Sequence, residues 1–251
     1  LKGIIRTVFG LYALLFFSAA LIPAFLSYVL IFALMPERKS PVTAHRVSRL
    51  WAAVLFFFYF IRLRVKNRHY IDKNKTYVFV ANHQSLLDIP LFAMACSNTF
   101  RFLAKEELTR IPLMGYIIKK LYITVKRNDR NDRHRSMEVM NKSLQEGISV
   151  FICPEGTRNR SLDPPLLEFR DGAFRLAILS GKPLAVFTVL NSGELLSPVK
   201  WMQLKPGTLK GIWSPPIDTT GMTEDDLPAL KERVRQMMMD HLIHYRNNPS
   251  A

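Results

Sequence analysis

Cysteine is scarce in this chain: Cys96 and Cys153 are the two among 251 residues, and neither sits in a C-x-x-C pattern. That spacing argues against a zinc site. Both thiols read as small core side chains in a reducing compartment, with a disulfide between them as the alternative. Acidic side chains are also in short supply, 20 against 35 lysines and arginines, for a net charge of +15. A chain so unbalanced seeks polyanions: nucleic acid, anionic lipid or phosphorylated substrates. No RNA-binding signature, zinc-finger spacing or basic zipper is present, so no nucleic-acid partner is expected. Repeats and low-complexity tracts are missing too. With 49% apolar residues, the chain can build a sizeable core as one domain, or one domain plus an appendage.

Charge itself is missing from Val8 to Met35, a run longer than the roughly 20 residues that span a bilayer. A secretory signal would have a shorter apolar core ending in a small-residue cleavage site. Pro23 either kinks one spanning helix or bends the run into two short helices within one leaflet. The chain opens on Leu1 rather than methionine, which leaves room for residues before it. A second apolar patch, Trp51 to Ile61, is rich in aromatics and short for a span, which suits an interfacial helix. Lys2, Arg6, Arg38, Lys39, Arg46, Arg49, Arg62 and Arg64 flank the two segments. Basic residues on both sides put both ends on the cytoplasmic face, against anionic lipid. The expected organisation is a membrane-associated helical segment over 1–63 and an α/β domain over 64–251.

Within that domain, apolar runs at 77–81, 100–104, 121–125, 149–153 and 184–190 read as strands. Helices are expected at 91–96, 111–120, 136–146 and 172–179, and a last one from Thr223 to about Tyr245 opened by a capping box with Asp226. Residues 128–135 read as a polar, arginine-rich loop, and 201–216 as short hairpin strands. Strands alternating with helices imply an α/β fold with a largely parallel sheet flanked by helices, and ligands at the strands' carboxyl ends.

His83, Lys105, Arg127 and Arg158 each lie just beyond a predicted strand. Converging in one crevice, they would make a phosphate site beside a proton acceptor. His83 and Asp88 are five positions apart, which in one regular helix leaves them roughly 140° out of line. For the two to touch, His83 must precede the helix and the chain must curl back, with Ser85 available as an N-cap. A carboxylate on one ring nitrogen fixes the tautomer and leaves the other as a base near neutral pH. The second motif, Pro154-Glu155-Gly156-Thr157-Arg158, follows a strand. Gly156 lets the backbone approach a ligand closely, and Arg158 can grip a phosphate in bidentate fashion.

Together these motifs resemble the glycerolipid acyltransferases of the PlsC type, whose best-known members are 1-acyl-sn-glycerol-3-phosphate acyltransferases. Asn82-His83 to Asp88 matches the family's N-H-x-x-x-x-D. Pro154 to Arg158 matches its F-P-E-G-T-R-S, with Cys153 for Phe and Asn159 for Ser. Arg127 looks like the arginine of the second motif, and Val186 stands where the fourth carries a proline. The likeness covers about residues 65 to 215. It implies acyl transfer from acyl-CoA or acyl-acyl-carrier-protein, as co-substrate, to the sn-2 hydroxyl of lysophosphatidate, without a further cofactor, a metal or a covalent acyl-enzyme. It further implies His83 as general base, Asp88 as its orienter, and Lys105, Arg127, Glu155, Gly156, Thr157 and Arg158 around the acceptor. A backbone N–H near Gly156 is the expected oxyanion donor. The rivals are another acceptor, such as glycerol 3-phosphate or a lyso-aminolipid, and a non-catalytic protein that binds anionic lipid. The expected location is a membrane, the inner one in a bacterial cell, with the active site facing the cytoplasm.

Overall fold

β-branched and aromatic runs separated by helical stretches give strands joined by crossovers, and the computed structural model, which describes residues 2–200 and 202–249, shows them as one sheet. Among the described residues the strands are β1 (Ile61–Lys66), β2 (Val78–Ala81), β3 (Phe100–Lys105), β4 (Ile123–Val125), β5 (Ser149–Ile152), β6 (Leu184–Val189) and β7 (Gly207–Trp213). Their order is β1-β7-β6-β2-β5-β3-β4. From β6 to β4 every pairing is parallel, while β7 is antiparallel to β6 and parallel to β1. The helices are α1 (Lys2–Leu34), α2 (Ser40–Phe58), α3 (Asp88–Ala95), α4 (Met114–Leu121), α5 (Arg130–Gln145), α6 (Gly172–Ser180), the single turn α7 (Ser192–Leu195) and α8 (Leu227–Asn247).

Two apolar layers sandwich the sheet. On one side Phe79, Phe92, Phe100, Phe151, Phe187 and Trp213 form a buried aromatic cluster with α2 and α3, with Phe92 stacked on Phe151 at 4.4 Å between ring centroids. On the other, Val78, Val80, Val150, Ile152 and Val186 meet α5, α6 and α8. Burying aromatic rings on this scale is the main stabilisation of such a core. It also seats α3, the helix that begins with Asp88.

Several elements differ from the sequence expectation. The alternation Ile61, Leu63, Val65 against Arg62, Arg64, Lys66 is that of a half-buried strand, β1, and not a basic flank. β1 straddles the boundary expected between residues 63 and 64. Ala13, Leu55, Phe56 and Tyr59 belong to the same apolar cluster as Phe79 and Phe92, so α1 and α2 share the sheet's core. α1 runs unbroken through Pro23. Its neighbours Leu21 and Ala24 are buried against α2 and α4, and this packing offsets the roughly 3 kcal/mol that an internal proline costs. Nearer the start of α1, a Cβ on Gly10 would lie 1.5 Å from the Met202 carbonyl oxygen, so only glycine lets α1 approach that loop. The aromatic patch from Trp51 is the second half of the longer α2: Leu55 and Phe56 are buried, and Phe57 and Phe58 exposed.

The arginine-rich stretch is helical from Arg130, because the Asp129 carboxylate accepts the amides of Asn131 and Asp132 as a side-chain cap. The hairpin expected at 201–216 is instead the single strand β7, with lone bridges at Leu204 and Ile217; Trp201 lies outside the described residues. The capping box of Thr223 and Asp226 is present, opening a short 3-10 turn ahead of α8. Both cysteines are free thiols.

Candidate active site

At the carboxyl end of β2 the chain must leave the sheet without losing its grip on it. Asn82 does this: its carboxamide donates to the Val189 carbonyl at 2.9 Å and accepts the Val189 amide at 2.7 Å, imitating one more peptide unit of the ladder. His83 follows. Its amide donates to Glu155 Oε1 at 2.8 Å and its carbonyl accepts the Asn159 amide at 2.7 Å. The chain then curls, as the five-residue spacing requires. One oxygen of Asp88, Oδ2, accepts the amides of Gln84 (2.7 Å) and Ser85 (2.8 Å) and sits 2.7 Å from His83 Nδ1. Ser85 is not the N-cap of α3: its hydroxyl donates to the Leu196 carbonyl and accepts the Leu87 amide.

A carboxylate only accepts, so Nδ1 carries the proton toward Asp88, and Nε2 is the nitrogen left for substrate. Asp88 is fully buried while the His83 side chain keeps 17% of its exposure. His83 lines a cavity of about 510 Å³. Its polar lining includes His83, Lys105, Arg127, Arg133, Thr157 and Arg170; its apolar walls include Phe17, Leu21, Ala24 and Tyr28 from α1 and Ile117 from α4.

The P-E-G-T-R turn forms one rim. Gly156 has φ +68, and a Cβ there would lie 2.6 Å from Arg170 Nε, so the glycine admits the Arg170 side chain against the turn. The Gly156 carbonyl accepts a bond from Arg127 Nη1. Its amide is already committed to the Cys153 carbonyl at 3.0 Å, so the oxyanion donor expected near Gly156 is not the Gly156 N–H. Burial pulls the Arg127 guanidinium below its ordinary value, and it remains a cation. Arg133 donates to the Arg127 carbonyl.

Glu155 faces inward, 4% exposed, and does not line the cavity. Its second oxygen accepts the Leu167 amide at 2.8 Å, so the carboxylate is a strut between the histidine loop and the 167 segment. Burial pushes its carboxyl up to about 7. Burial, with Asp88 and Glu155 nearby, also pushes the Cys153 thiol well up, which makes a poor nucleophile. Arg158 is half-buried and lies just outside the cavity lining, one residue beyond Thr157.

The sequence therefore brings His83, Asp88, Lys105, Arg127, Gly156 and Thr157 together at this end of the sheet, with Arg158 beside them. Arg133 and Arg170 were not foreseen as site residues. Arg133 falls in the stretch expected as a loop, and Arg170 follows a proline-containing loop with no spacing to mark it. Val186, where the resembled family carries a proline, is buried in the layer formed with α5, α6 and α8 and does not line the cavity. His241 lies outside the cavity lining and hydrogen-bonds Thr188 at 2.9 Å.

A family model described as Acyltransferase matches residues 62–190. The human 1-acyl-sn-glycerol-3-phosphate acyltransferase alpha is 32% identical over 198 residues, covering 77% of this chain and 68% of that protein. The Saccharomyces cerevisiae 1-acyl-sn-glycerol-3-phosphate acyltransferase is 31% identical over 186 residues, covering 70% of this chain and 58% of its own. The crystal structure of the 1-acyl-sn-glycerophosphate (LPA) acyltransferase PlsC from Thermotoga maritima superposes with a TM-score of 0.81 at 22% identity, over 97% of this chain and 98% of that one. The match to the family model, which spans both the His83 and the Pro154 motifs, makes this chain an enzyme of the acyltransferase family.

Proposed function

We propose that the enzyme moves a fatty acyl group from an acyl thioester, acyl-CoA or acyl-acyl-carrier-protein, to the sn-2 hydroxyl of 1-acyl-sn-glycerol-3-phosphate, making phosphatidate. The observation that carries this is the cavity itself. A base with a fixed tautomer and several cations line it together with apolar walls that include residues of α1. His83 Nε2 takes the hydroxyl proton as the oxygen attacks the thioester carbonyl. The tetrahedral adduct then expels the thiolate, which receives the proton from the imidazolium. Asp88 stabilises that imidazolium without leaving its own bonds. No acyl-enzyme is needed, because the thioester is already activated. Arg127 and Arg158, with Lys105, Arg133 and Arg170, hold the acceptor's phosphate, and Thr157 lines its seat. Gly156 lets Arg170 close on the turn, and Glu155 holds His83 in place from behind.

The lipid acceptor suits the setting of α1. Among the described residues one helix is long and apolar enough to cross a membrane, and only 17% of its most apolar stretch is buried. Ile4, Val8, Leu15, Ile22, Leu26 and Leu34 are all more than half exposed, while Ala13, Leu21, Ala24 and Tyr28 are buried against the enzyme. A helix that packs on the catalytic domain between Ala13 and Tyr28 and leaves apolar side chains exposed on its other face supports a seat for that domain at the bilayer surface. The acceptor's tail then stays in an apolar environment, each buried CH₂ being worth roughly 0.8 kcal/mol. Lys2, Arg6, Arg38 and Lys39, at the two ends of α1, support an active site on the cytoplasmic side, at the inner membrane in a bacterial cell.

The test is an acceptor panel. Purified enzyme in neutral micelles receives one acyl-CoA and, separately, lysophosphatidate, glycerol 3-phosphate or a lyso-aminolipid. Phosphatidate from lysophosphatidate is the expected main product. Faster acylation of either alternative overturns the assignment of the acceptor.

A further inference from the structure

At the end of the sheet away from His83, where β3 and β5 begin, a second cavity of about 720 Å³ opens. β3 is six residues long, so about 20 Å of strand separates it from the active site. Arg38, Lys73, Lys75 and Arg101 line it, together with the carboxylates Glu37 and Glu146. Among the described residues none of these four cations is in an ion pair, and Glu146 lies 4.0 Å from Lys142.

Two side chains in this lining hold buried atoms without a partner: Asn98 Oδ1, an acceptor, and Arg101 Nε, a donor. Asn98 is 3% exposed, and its amide nitrogen is committed to the carbonyls of Asp72 and Lys75 at 2.9 and 2.8 Å. Those bonds fix the turn that carries Lys73 and Lys75 beside the cavity. Buried polar atoms are rarely left unpaired, and such a group asks what fills the space in front of it. A ligand with anionic oxygens and a hydroxyl meets both demands and the surplus of cations.

The setting narrows the source. Arg38, Pro41 and Val42 come from the turn between α1 and α2 and the start of α2, just after Leu30 and Leu34, which are 58% and 77% exposed. The cavity thus lies at the rim of the apolar face of α1. A lipid seated with its headgroup in the cavity can lay its tails along that face.

We propose that this cavity binds the headgroup of an anionic phospholipid. Its phosphate is held by Arg101, Lys73 and Lys75, and a headgroup hydroxyl donates to Asn98 Oδ1. The site is separate from catalysis and fixes the far end of the helix pair to the leaflet. A free phosphate offers similar oxygens without tails, so the test separates the two. The full chain, purified in neutral detergent, is titrated with dihexanoyl phosphatidylglycerol, dihexanoyl phosphatidylcholine or inorganic phosphate while its thermal midpoint is followed. Phosphatidylglycerol is expected to raise the midpoint saturably, and the other two are not. Lys73→Gln with Lys75→Gln, both at the surface, is expected to raise the half-saturating concentration by about tenfold or more, at roughly 1 kcal/mol for each basic residue near a lipid surface. Arg130→Gln, near the catalytic cavity, is expected to leave it unchanged. Acyl transfer in neutral micelles is also expected to survive the double change, so the result stands apart from the identity of the acceptor. An unaltered response in the double variant, an equal response to phosphatidylcholine, or an equal affinity for inorganic phosphate overturns the proposal.

Discussion

Around His83 the amide, the carbonyl and Nδ1 each have a partner, supplied by Glu155, Asn159 and Asp88. Across the cavity the long cations are far less committed. Arg127 holds the Gly156 carbonyl, Arg133 the Arg127 carbonyl and Lys105 an exposed Glu107 at 3.0 Å, yet Arg158 and Arg170 have no carboxylate within ion-pair distance among the described residues. The base is therefore preorganised by the fold, whereas Arg158 and Arg170 are left for a substrate anion to complete the grip. A histidine displaced by a fraction of an ångström loses its line to the hydroxyl, so rigidity serves it. A phosphate arrives with its own charge, and cations already paired would have to give up a partner to receive it.

The comparison breaks most visibly at the histidine. His83→Ala is expected to lower kcat about 10²–10⁴-fold, the usual contribution of a general base, while membrane association is unchanged. A variant that keeps wild-type turnover removes His83 from the chemistry. The two functions of Asp88 can then be separated. Asp88 Oδ1 is buried without a partner, so Asp88→Asn can place its amide nitrogen there and keep the acceptor facing His83. That variant is expected to fold and to lose about 10²-fold or more in kcat, because the charge opposite the imidazolium is gone. Asp88→Ala also orphans buried N–H groups, at about 1–3 kcal/mol each, and is expected to melt markedly lower. Equal melting temperatures for the two variants would contradict this account of the loop.

On the cation side the expected effect moves from kcat to KM. Arg158→Gln and Arg127→Gln are each expected to raise the KM for lysophosphatidate about tenfold or more, the scale of one lost charge-assisted hydrogen bond. Of the two, Arg127→Gln is expected to lower the melting temperature more, because it also releases the Gly156 carbonyl. If both variants change kcat and leave KM alone, the division between a fixed base and a waiting grip fails.

This division also decided what could be read in advance. The histidine loop was legible because its chemistry is local: Asn82, His83 and Asp88 lie within seven residues, and each does what its side chain and spacing allow. The parallel sheet was legible because its strands are continuous apolar runs. β1 was missed because its arginines and lysine suggested a membrane flank, although their alternation with Ile61, Leu63 and Val65 carried the strand signal. Arg170 was not legible at all. It reaches the site through the close approach over Gly156, a tertiary contact with no trace in local spacing. The role of Glu155 was hidden for a similar reason, since its partners are backbone amides at positions 83 and 167.

Glu155 supplies the smallest effect and the sharpest test of the rigid side. Its carboxyl stands at about 7 against an ordinary 4.5, raised by burial despite two amide donors. A carboxyl raised on folding binds its proton more tightly in the folded chain. Its contribution to stability is therefore present below about pH 4.5 and is lost as the pH rises through about 7. Glu155→Gln does not titrate, and it trades one accepting oxygen for an amide that cannot accept from the His83 or Leu167 N–H. The variant is expected to be less stable at acidic pH by about 1–3 kcal/mol, the cost of one unmet donor. Wild type gives up stability from this group between pH 5.5 and pH 8 and the variant does not, so the gap in melting temperature is expected to narrow across that interval. A gap that stays constant places the Glu155 titration outside this window, and one that widens with pH reverses the sign of its linkage to folding.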